Sequence, residues 1–162
     1  CSIDCWGPQQ EYVRHGLDLD ILESRLAWAA EQSEDWLYLN VNQTVSSMTI
    51  KTMPQLIEKI NQFGRHRHIG HYFMFVDGYK FQRPDIFDYG LWADDFDKIF
   101  AIMRDNTLED KETIQRMIGL QKRLQNTCSQ DPIQIAKLHA YLDELDRRRK
   151  TDWRALFPYL IV

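Results

Sequence analysis

The sequence contains few cysteines and no long apolar run, and each shortage excludes a class of protein. Its three cysteines, Cys1, Cys5 and Cys128, are an odd number and do not make a disulfide framework. A reducing, cytoplasmic compartment is therefore predicted. No apolar stretch approaches the ~20 residues that cross a bilayer, and no secretory signal pattern is present. We expect no membrane partner.

Basic residues are also fewer than acidic ones, since the sequence has 20 lysines and arginines and 24 aspartates and glutamates, which give a net charge of −4. A general nucleic-acid binder needs a basic face, so nucleic acid is not a predicted partner. An unrelated α/β enzyme that acts on a phosphorylated substrate is a further alternative, but the sequence has no glycine-rich phosphate loop to support it. With 162 residues, 44% hydrophobic and 27% charged, the chain has the composition of an ordinary globular domain.

The first half alternates between strand and helix patterns. A short apolar strand in residues 1–5 runs into a turn, an amphipathic helix is predicted over 17–32, and alternating side chains over 36–45 indicate a strand. A helix over 53–63 and an apolar strand over 69–76 follow. This order is typical of right-handed crossover units in a parallel sheet. Such units form either half of a larger barrel or one side of an open sheet.

The second half is predicted to be helical. An aromatic, turn-rich loop over 77–90 is long for a plain connection and is a candidate lid. Helices are predicted over 91–103 and 108–127, and Pro132 opens a third helix. The predicted organisation is therefore βα units in residues 1–90 and a helical C-terminal extension in residues 91–162.

Three groups of residues resemble radical S-adenosylmethionine enzymes, in particular those with a shortened "twitch" C-terminal extension. Ser2-Ile3-Asp4, a turn and Glu11-Tyr12-x-Arg14 are similar to the middle of such enzymes, and Asn42-x-Thr44-Val45-Ser46 is similar to the next barrel strand and its exit. The closing pattern is also similar and consists of Asp146-Arg147, Asp152-Trp153-Arg154 and Phe157-Pro158-x-Leu160. The resemblance spans essentially the whole chain but only the latter part of such an enzyme.

The resemblance implies an α/β fold, namely the C-terminal part of a partial parallel (β/α) barrel followed by a mainly helical tail. It also implies S-adenosylmethionine as a cofactor, a 4Fe–4S cluster in the full-length protein, and a peptide or small-molecule substrate. In such enzymes the reduced cluster cleaves S-adenosylmethionine to a 5′-deoxyadenosyl radical. Cys1 and Cys5 have the first spacing of the family's C-x-x-x-C-x-x-C motif, but Pro8 stands where the third cysteine belongs. The cluster ligands are therefore not expected in this chain.

The chain is interpreted as a fragment, because its first residues already have the pattern of a buried strand. Such a strand normally has a neighbour on its other side. An open edge with apolar flanks invites association, so self-association through this exposed sheet edge is predicted.

Five residues are candidate contacts of S-adenosylmethionine: Ser2, Asp4, Arg14, Asn42 and Thr44. Ligands of parallel α/β folds bind beyond the carboxyl ends of the strands, where the polar residues of the predicted strands would lie. Ser2 and Asp4 suit the ribose hydroxyls, and Arg14 suits an α-carboxylate. Asn42 lies on a polar strand face, which is costly to bury unless a ligand or a network satisfies it.

Each of these residues also has a structural interpretation. Ser2 would pack in the sheet, Asp4 would cap the following turn, Arg14 would pair with Glu11, and the face that carries Asn42 would lie nearer solvent. For the whole chain, the alternative function is a non-catalytic α/β binding or scaffold module that lacks the cluster. No catalytic residue is assigned.

Histidines and the C-terminal residues complete the candidate features. His66, His68 and His71 lie close together in the sequence, but arginines flank them and no acidic or thiol ligand is near, so a basic connection is predicted and no metal site.

The apolar residues Trp153, Phe157, Leu160 and Ile161 are predicted to form a hydrophobic plug that docks onto the helices.

Overall fold

The structure is a computed structural model that describes residues 1–32, 38–65, 68–105 and 111–162. Of the described residues, 65% are helical. In chain order, the described helices and strands are α1 (Pro8–Val13), α2 (Leu19–Glu31), β1 (Asn40–Val45), α3 (Met53–Phe63), β2 (Gly70–Phe75), α4 (Ala93–Asp105), α5 (Lys111–Thr127), α6 (Pro132–Arg149) and α7 (Trp153–Leu156). Short 3₁₀ turns occupy Ile50–Thr52, Lys80–Gln82, Pro84–Ile86, Tyr89–Leu91 and Pro158–Leu160.

The predicted fold class, a partial parallel (β/α) barrel, is wrong. Within the described ranges the sheet has two short strands, β1 and β2, which pair in parallel from Asn40↔Gly70 to Val45↔Phe75. The initial segment adds only one parallel bridge, Ser2↔Asn42. It leaves the ladder after that bridge, because the N–H groups of Asp4 and Thr44 then bond to side-chain oxygens and not to the backbone. Helices make up most of the remaining described residues.

Local signals nevertheless located most elements. The helix predicted over 53–63 is confirmed as α3, and those over 17–32 and 69–76 match α2 and β2 to within two residues at either end. The strand predicted over 36–45 is formed from Asn40 onward. Residues 36 and 37 of that prediction, and 108–110 of the helix predicted over 108–127, lie outside the described ranges.

The sheet has one covered face and one open face. Val41, Gln43 and Val45 of β1 are buried, and α3 covers this side because its apolar residues form one stripe that includes Leu56 and Ile60. Burial of each such side chain contributes about 1.5–3 kcal/mol. The other face remains partly exposed, which is unusual for parallel strands, since helices normally cover both sides.

The main core joins both halves of the chain. Its buried residues include Val45 and Met53 from the first half and Phe96, Leu138 and Phe157 from the second. The later part of the loop predicted as a candidate lid belongs to this core, with Ile86 and Phe87 each only 1% exposed, whereas residues 77–80 are exposed. In the described part of the chain, no helix is long and apolar enough to cross a membrane.

The predicted hydrophobic plug is confirmed for three of its four residues. Trp153, Phe157 and Leu160 are buried, whereas Ile161 is 56% exposed. Phe157 packs edge-on against Tyr12, with ring centroids 5.2 Å apart. The end of the chain is thus fixed against its beginning.

Candidate functional site

The carboxyl ends of three parallel segments converge on one cleft of about 270 Å³. Its lining includes Asp4 from the initial segment, Thr44 and Ser46 from the end of β1, and Val76 just beyond β2. Tyr12 and Arg14 from the region of α1, and Arg149 from the end of α6, complete the polar wall. Ligands of parallel α/β sheets bind in this position, so the cleft is the candidate site.

The carboxylate of Asp4 accepts hydrogen bonds from two other residues of the cleft, Arg14 and Thr44. Arg14 donates from Nε to Asp4 Oδ2 at 2.7 Å and from Nη2 to Oδ1 at 3.2 Å. The backbone N–H of Thr44 donates to the same Oδ1 at 2.9 Å, which extends the sheet ladder through a side chain. The hydrogen bond to Asp4 raises the pKa of Arg14 above its ordinary value. Asp4 and Arg14 therefore form a fixed, charged pair at the end of the sheet.

The structure brings Asp4, Arg14 and Thr44 together in the cleft. Two contacts expected from the structural interpretation of the sequence are not formed. Glu11 does not pair with Arg14; its Oε1 accepts from the N–H of Leu19 at 3.0 Å. Asp4 does not cap the turn. Gln10 does so, because its Oε1 accepts from the N–H groups of Asp4 and Cys5, each at 3.0 Å.

Ser2 and Asn42 lie beside the cleft rather than in it. They form the bridge between the initial segment and β1, and both are exposed. In the strand register Asn42 is next to Tyr72 and Thr44 is next to Met74, with Tyr72 49% and Met74 71% exposed. The polar face of β1 is thus turned toward solvent, as the structural interpretation of Asn42 required.

A buried network supports the cleft from the covered face of the sheet. Gln43 Nε2 donates to the backbone oxygen of Asp4 at 2.8 Å, and Gln43 Oε1 lies 3.0 Å from His71 Nε2. Burial lowers the pKa of His71 to about 4, so the imidazole is neutral at physiological pH. Because Gln43 Oε1 can only accept, the neutral His71 donates from Nε2.

The two ends of the resembling pattern meet at Tyr12. Its hydroxyl donates to Asp146 Oδ1 at 3.0 Å, and Arg149 Nη1 donates to its backbone oxygen at 2.9 Å. Burial and this hydrogen bond raise the pKa of Tyr12 well above its ordinary value. Asp146 also accepts from the N–H of Trp153 at 2.7 Å. The contact between the beginning and the end of the chain therefore forms one wall of the cleft.

Sequence reasoning missed several residues of this site. Tyr12 belonged to the quoted pattern, but nothing marked its hydroxyl as the partner of Asp146. Arg149 carried no distinctive signal, because a run of arginines at a helix C-terminus is favoured by the helix dipole with or without a ligand nearby. No local pattern marked Gln43 or His71 as a support of the cleft, because the role of a polar strand residue becomes visible only when the residue is known to be buried.

The described cysteines do not lie together in a way that suits an iron–sulfur cluster. No group of three metal-ligating side chains occurs among the described residues. Cys1 is exposed whereas Cys5 is fully buried, and burial raises the pKa of Cys5 to about 12, which keeps its thiol protonated. His68 is exposed, His71 is buried, and His66 lies outside the described ranges, so the predicted absence of a metal site stays a prediction.

Comparison of the chain with protein-family models, with curated proteins and with solved structures found no match.

Proposed function

We propose that this chain supplies the S-adenosylmethionine-binding and substrate-facing part of a radical S-adenosylmethionine enzyme. The observation that carries the proposal is the meeting of Asp4, Arg14 and Thr44 in one cleft at the carboxyl ends of parallel segments. These residues come from two of the resembling groups, and the third group supports the cleft wall through Asp146.

The donor set suits the polar half of S-adenosylmethionine. An ionised carboxylate offers about four lone-pair sites, and Asp4 uses three of them, for Arg14 twice and for Thr44 once. The remaining site would accept a ribose hydroxyl. Arg14 keeps N–H donors beyond the two used for Asp4, and Arg149 adds a second guanidinium to the lining. These groups suit an α-carboxylate.

The size of the cleft limits what it holds. Its volume of about 270 Å³ is near the lower end of the range for small-molecule pockets, roughly 300–1,000 Å³. The ribose and methionine portions would enter the cleft, and the rest of the ligand would lie on the open sheet face beside Asn42. Radical chemistry requires cluster thiolates that the described residues do not provide, so no step of that reaction is assigned to them.

Calorimetric titration of the whole chain with S-adenosylmethionine tests the proposal. Asp4→Ala should weaken binding by about 1–3 kcal/mol, the typical cost of losing a hydrogen bond to a charged group. The matched control is Asp97→Ala, which removes an exposed carboxylate on α4 and should leave binding unchanged. Arg14→Gln, which removes the guanidinium proposed to bind the α-carboxylate, gives a second variant should Asp4→Ala fold poorly. Equal affinity in all variants, or no binding by the intact chain, would contradict the proposal.

A second candidate is the non-catalytic binding or scaffold module. The observation in its favour is that Asp4 is only 3% exposed and that its carboxylate already accepts from Arg14 and Thr44, as a purely structural residue would. The reading frame upstream of Cys1 separates the two, because a C-x-x-x-C-x-x-C motif encoded there would supply the cluster ligands of an enzyme, whereas a start codon there would favour the module.

A further inference from the structure

A second concave surface lies on the far side of β2, away from the cleft. β2 pairs with β1 along one edge only. The N–H groups of Gly70 and Val76 donate to Leu39 and Val45 on the β1 side, each at 3.0 Å. In a parallel ladder alternate residues bond to alternate sides. The main-chain groups of His71, Phe73 and Phe75 therefore face the other edge, where no strand of the described ranges lies.

Helix α5 runs beside this free edge and completes a groove of about 440 Å³. The groove is lined by Phe73, Met74 and Phe75 from β2 and by Arg116, Gly119 and Arg123 from α5. Gly119 leaves room at the centre, because a Cβ placed there would meet no atom within 4 Å. The volume lies within the usual range for ligand sites, roughly 300–1,000 Å³.

Arg123 brings a positive charge into the groove of a chain whose net charge is −4. Arg123 has its guanidinium carbon 4.1 Å from the centroid of the Phe75 ring, and it forms no ion pair with any residue the structure describes. Arg116 lies over Tyr72 at 5.4 Å and pairs with Glu112. Among the described residues that line the groove, Asp77 is the one carboxylate. A guanidinium that lies over an aromatic ring keeps its N–H edge free for a carboxylate.

We propose that this groove binds an extended peptide segment with acidic side chains, which adds as a strand to the free edge of β2. Unpaired main-chain groups on alternate residues are the recognition pattern of strand addition, and Arg123, which has no carboxylate partner among the described residues, selects an acidic side chain. A second copy of β2 fits poorly, because the sequence Gly70–Phe75 has no carboxylate to meet Arg123. The proposal does not use the cleft and is independent of S-adenosylmethionine binding.

Fluorescence anisotropy with labelled, capped peptides of the form Ser-Glu-x-Thr-x-Glu-Ser, where x is Val, Leu or Phe, tests this proposal on the whole chain. We expect at least one acidic peptide to bind. Its counterpart with lysine for glutamate should bind about tenfold more weakly, as loss of a charged hydrogen bond predicts. Replacing the central threonine with proline should also weaken binding, since it removes a backbone donor.

Two pairs of variants localise the binding. Arg123→Gln should weaken the acidic peptide about tenfold, whereas its neighbour Lys122→Gln, equal in charge change but outside the lining, should change affinity less than about twofold. Gly119→Phe should fill the groove and abolish binding, and Gly119→Ala should retain it. Thermal unfolding establishes that each variant folds, and Arg123→Gln carries the test should Gly119→Phe unfold.

Several results would overturn the proposal. They are the absence of binding by every acidic peptide, equal affinity for the acidic and lysine peptides, and equal effects of Arg123→Gln and Lys122→Gln. A concentration-dependent dimer in sedimentation experiments that Gly119→Phe abolishes would assign the groove to a second copy instead.

Discussion

Gln43 and His71 form a buried hydrogen bond across the two strands, with 3.0 Å between Gln43 Oε1 and His71 Nε2. The same amide donates to the backbone of Asp4 at 2.8 Å. One neutral imidazole therefore orients a glutamine, which in turn holds the residue at the centre of the cleft. Because burial lowers the pKa of His71, protonation of this ring should oppose the folded state.

We expect the chain to lose stability between about pH 6.5 and pH 4, and His71 to be the cause. The unfolded chain binds a proton at the ordinary histidine pKa, whereas the folded chain does not until pH approaches 4, so the free energy of unfolding falls as pH falls through this window. The contribution is roughly 3 kcal/mol when complete. Urea unfolding at several pH values measures it. His71→Gln should flatten the dependence, while the exposed control His68→Gln should not; identical profiles would contradict the assignment.

The three thiols should differ sharply in reactivity. Cys1 is exposed, whereas burial raises the pKa of both Cys5 and Cys128 to about 12, so their thiolates are scarce at pH 8. A thiol reagent should modify one cysteine quickly in the folded chain and all three after denaturation. Cys1→Ser should remove the fast phase. Rapid labelling of Cys5, or a stoichiometric iron–sulfur cluster on this chain, would show that the region around Cys5 is open.

The C-terminal plug should account for a large share of the stability. Phe157 is fully buried and contacts Tyr12, so Phe157→Ala should cost ~3–5 kcal/mol in urea unfolding. Ile161→Ala, at a position 56% exposed, should change stability by no more than ~0.5 kcal/mol. Tyr159 Oη donates to the backbone of Met48 at 3.2 Å, and Met48 lines the cleft. Deletion of residues 151–162 should therefore disturb ligand binding as well as stability.

Asp4 and Arg14 should show energetic coupling in a double-mutant cycle. Asp4 is 3% exposed, and removing its partner leaves a buried charge unpaired, which is costly. Arg14 has a side chain 40% exposed, so solvent reduces the coupling to about 1–2 kcal/mol. The cycle uses Arg14→Gln, Asp4→Asn and the double variant. The exposed pair of Arg147 and Glu144 serves as the control, and additive effects at Asp4 and Arg14 would contradict the pairing.

Gly119→Ala should stabilise the folded chain. Gly119 lies within α5, and its added Cβ would meet nothing within 4 Å. Alanine in a helix interior is favoured over glycine by about 0.5–1 kcal/mol, and thermal unfolding should show the gain. A loss of stability would mean that the groove beside α5 is closed.

Local sequence signals determined the positions of most elements. The helix Met53–Phe63 followed from Pro54 in its first turn and Gly64 at its end. The strand over 36–45 followed from alternating side chains, and the strand over 69–76 followed from an apolar run. The same signals could not decide how many strands would pair. Strand patterns describe the residue itself, whereas the loss of the initial strand depends on the side chains of Gln10 and Asp4, whose oxygens replace backbone oxygens as hydrogen-bond acceptors.

The candidate site divides in the same way. Asp4 and Arg14 were candidates because of their chemistry, since carboxylates and guanidinium groups are informative wherever they stand. Thr44 was a candidate because it belongs to a pattern that resembles an enzyme strand and its exit. Only the tertiary structure joined Tyr12 to Asp146, residues separated by 134 positions, and only burial gave Gln43 and His71 their roles. The sequence by itself determined which groups were present and on which elements. Long-range packing decided which of them meet, because contact between distant segments depends on the shape of the whole core rather than on any local pattern.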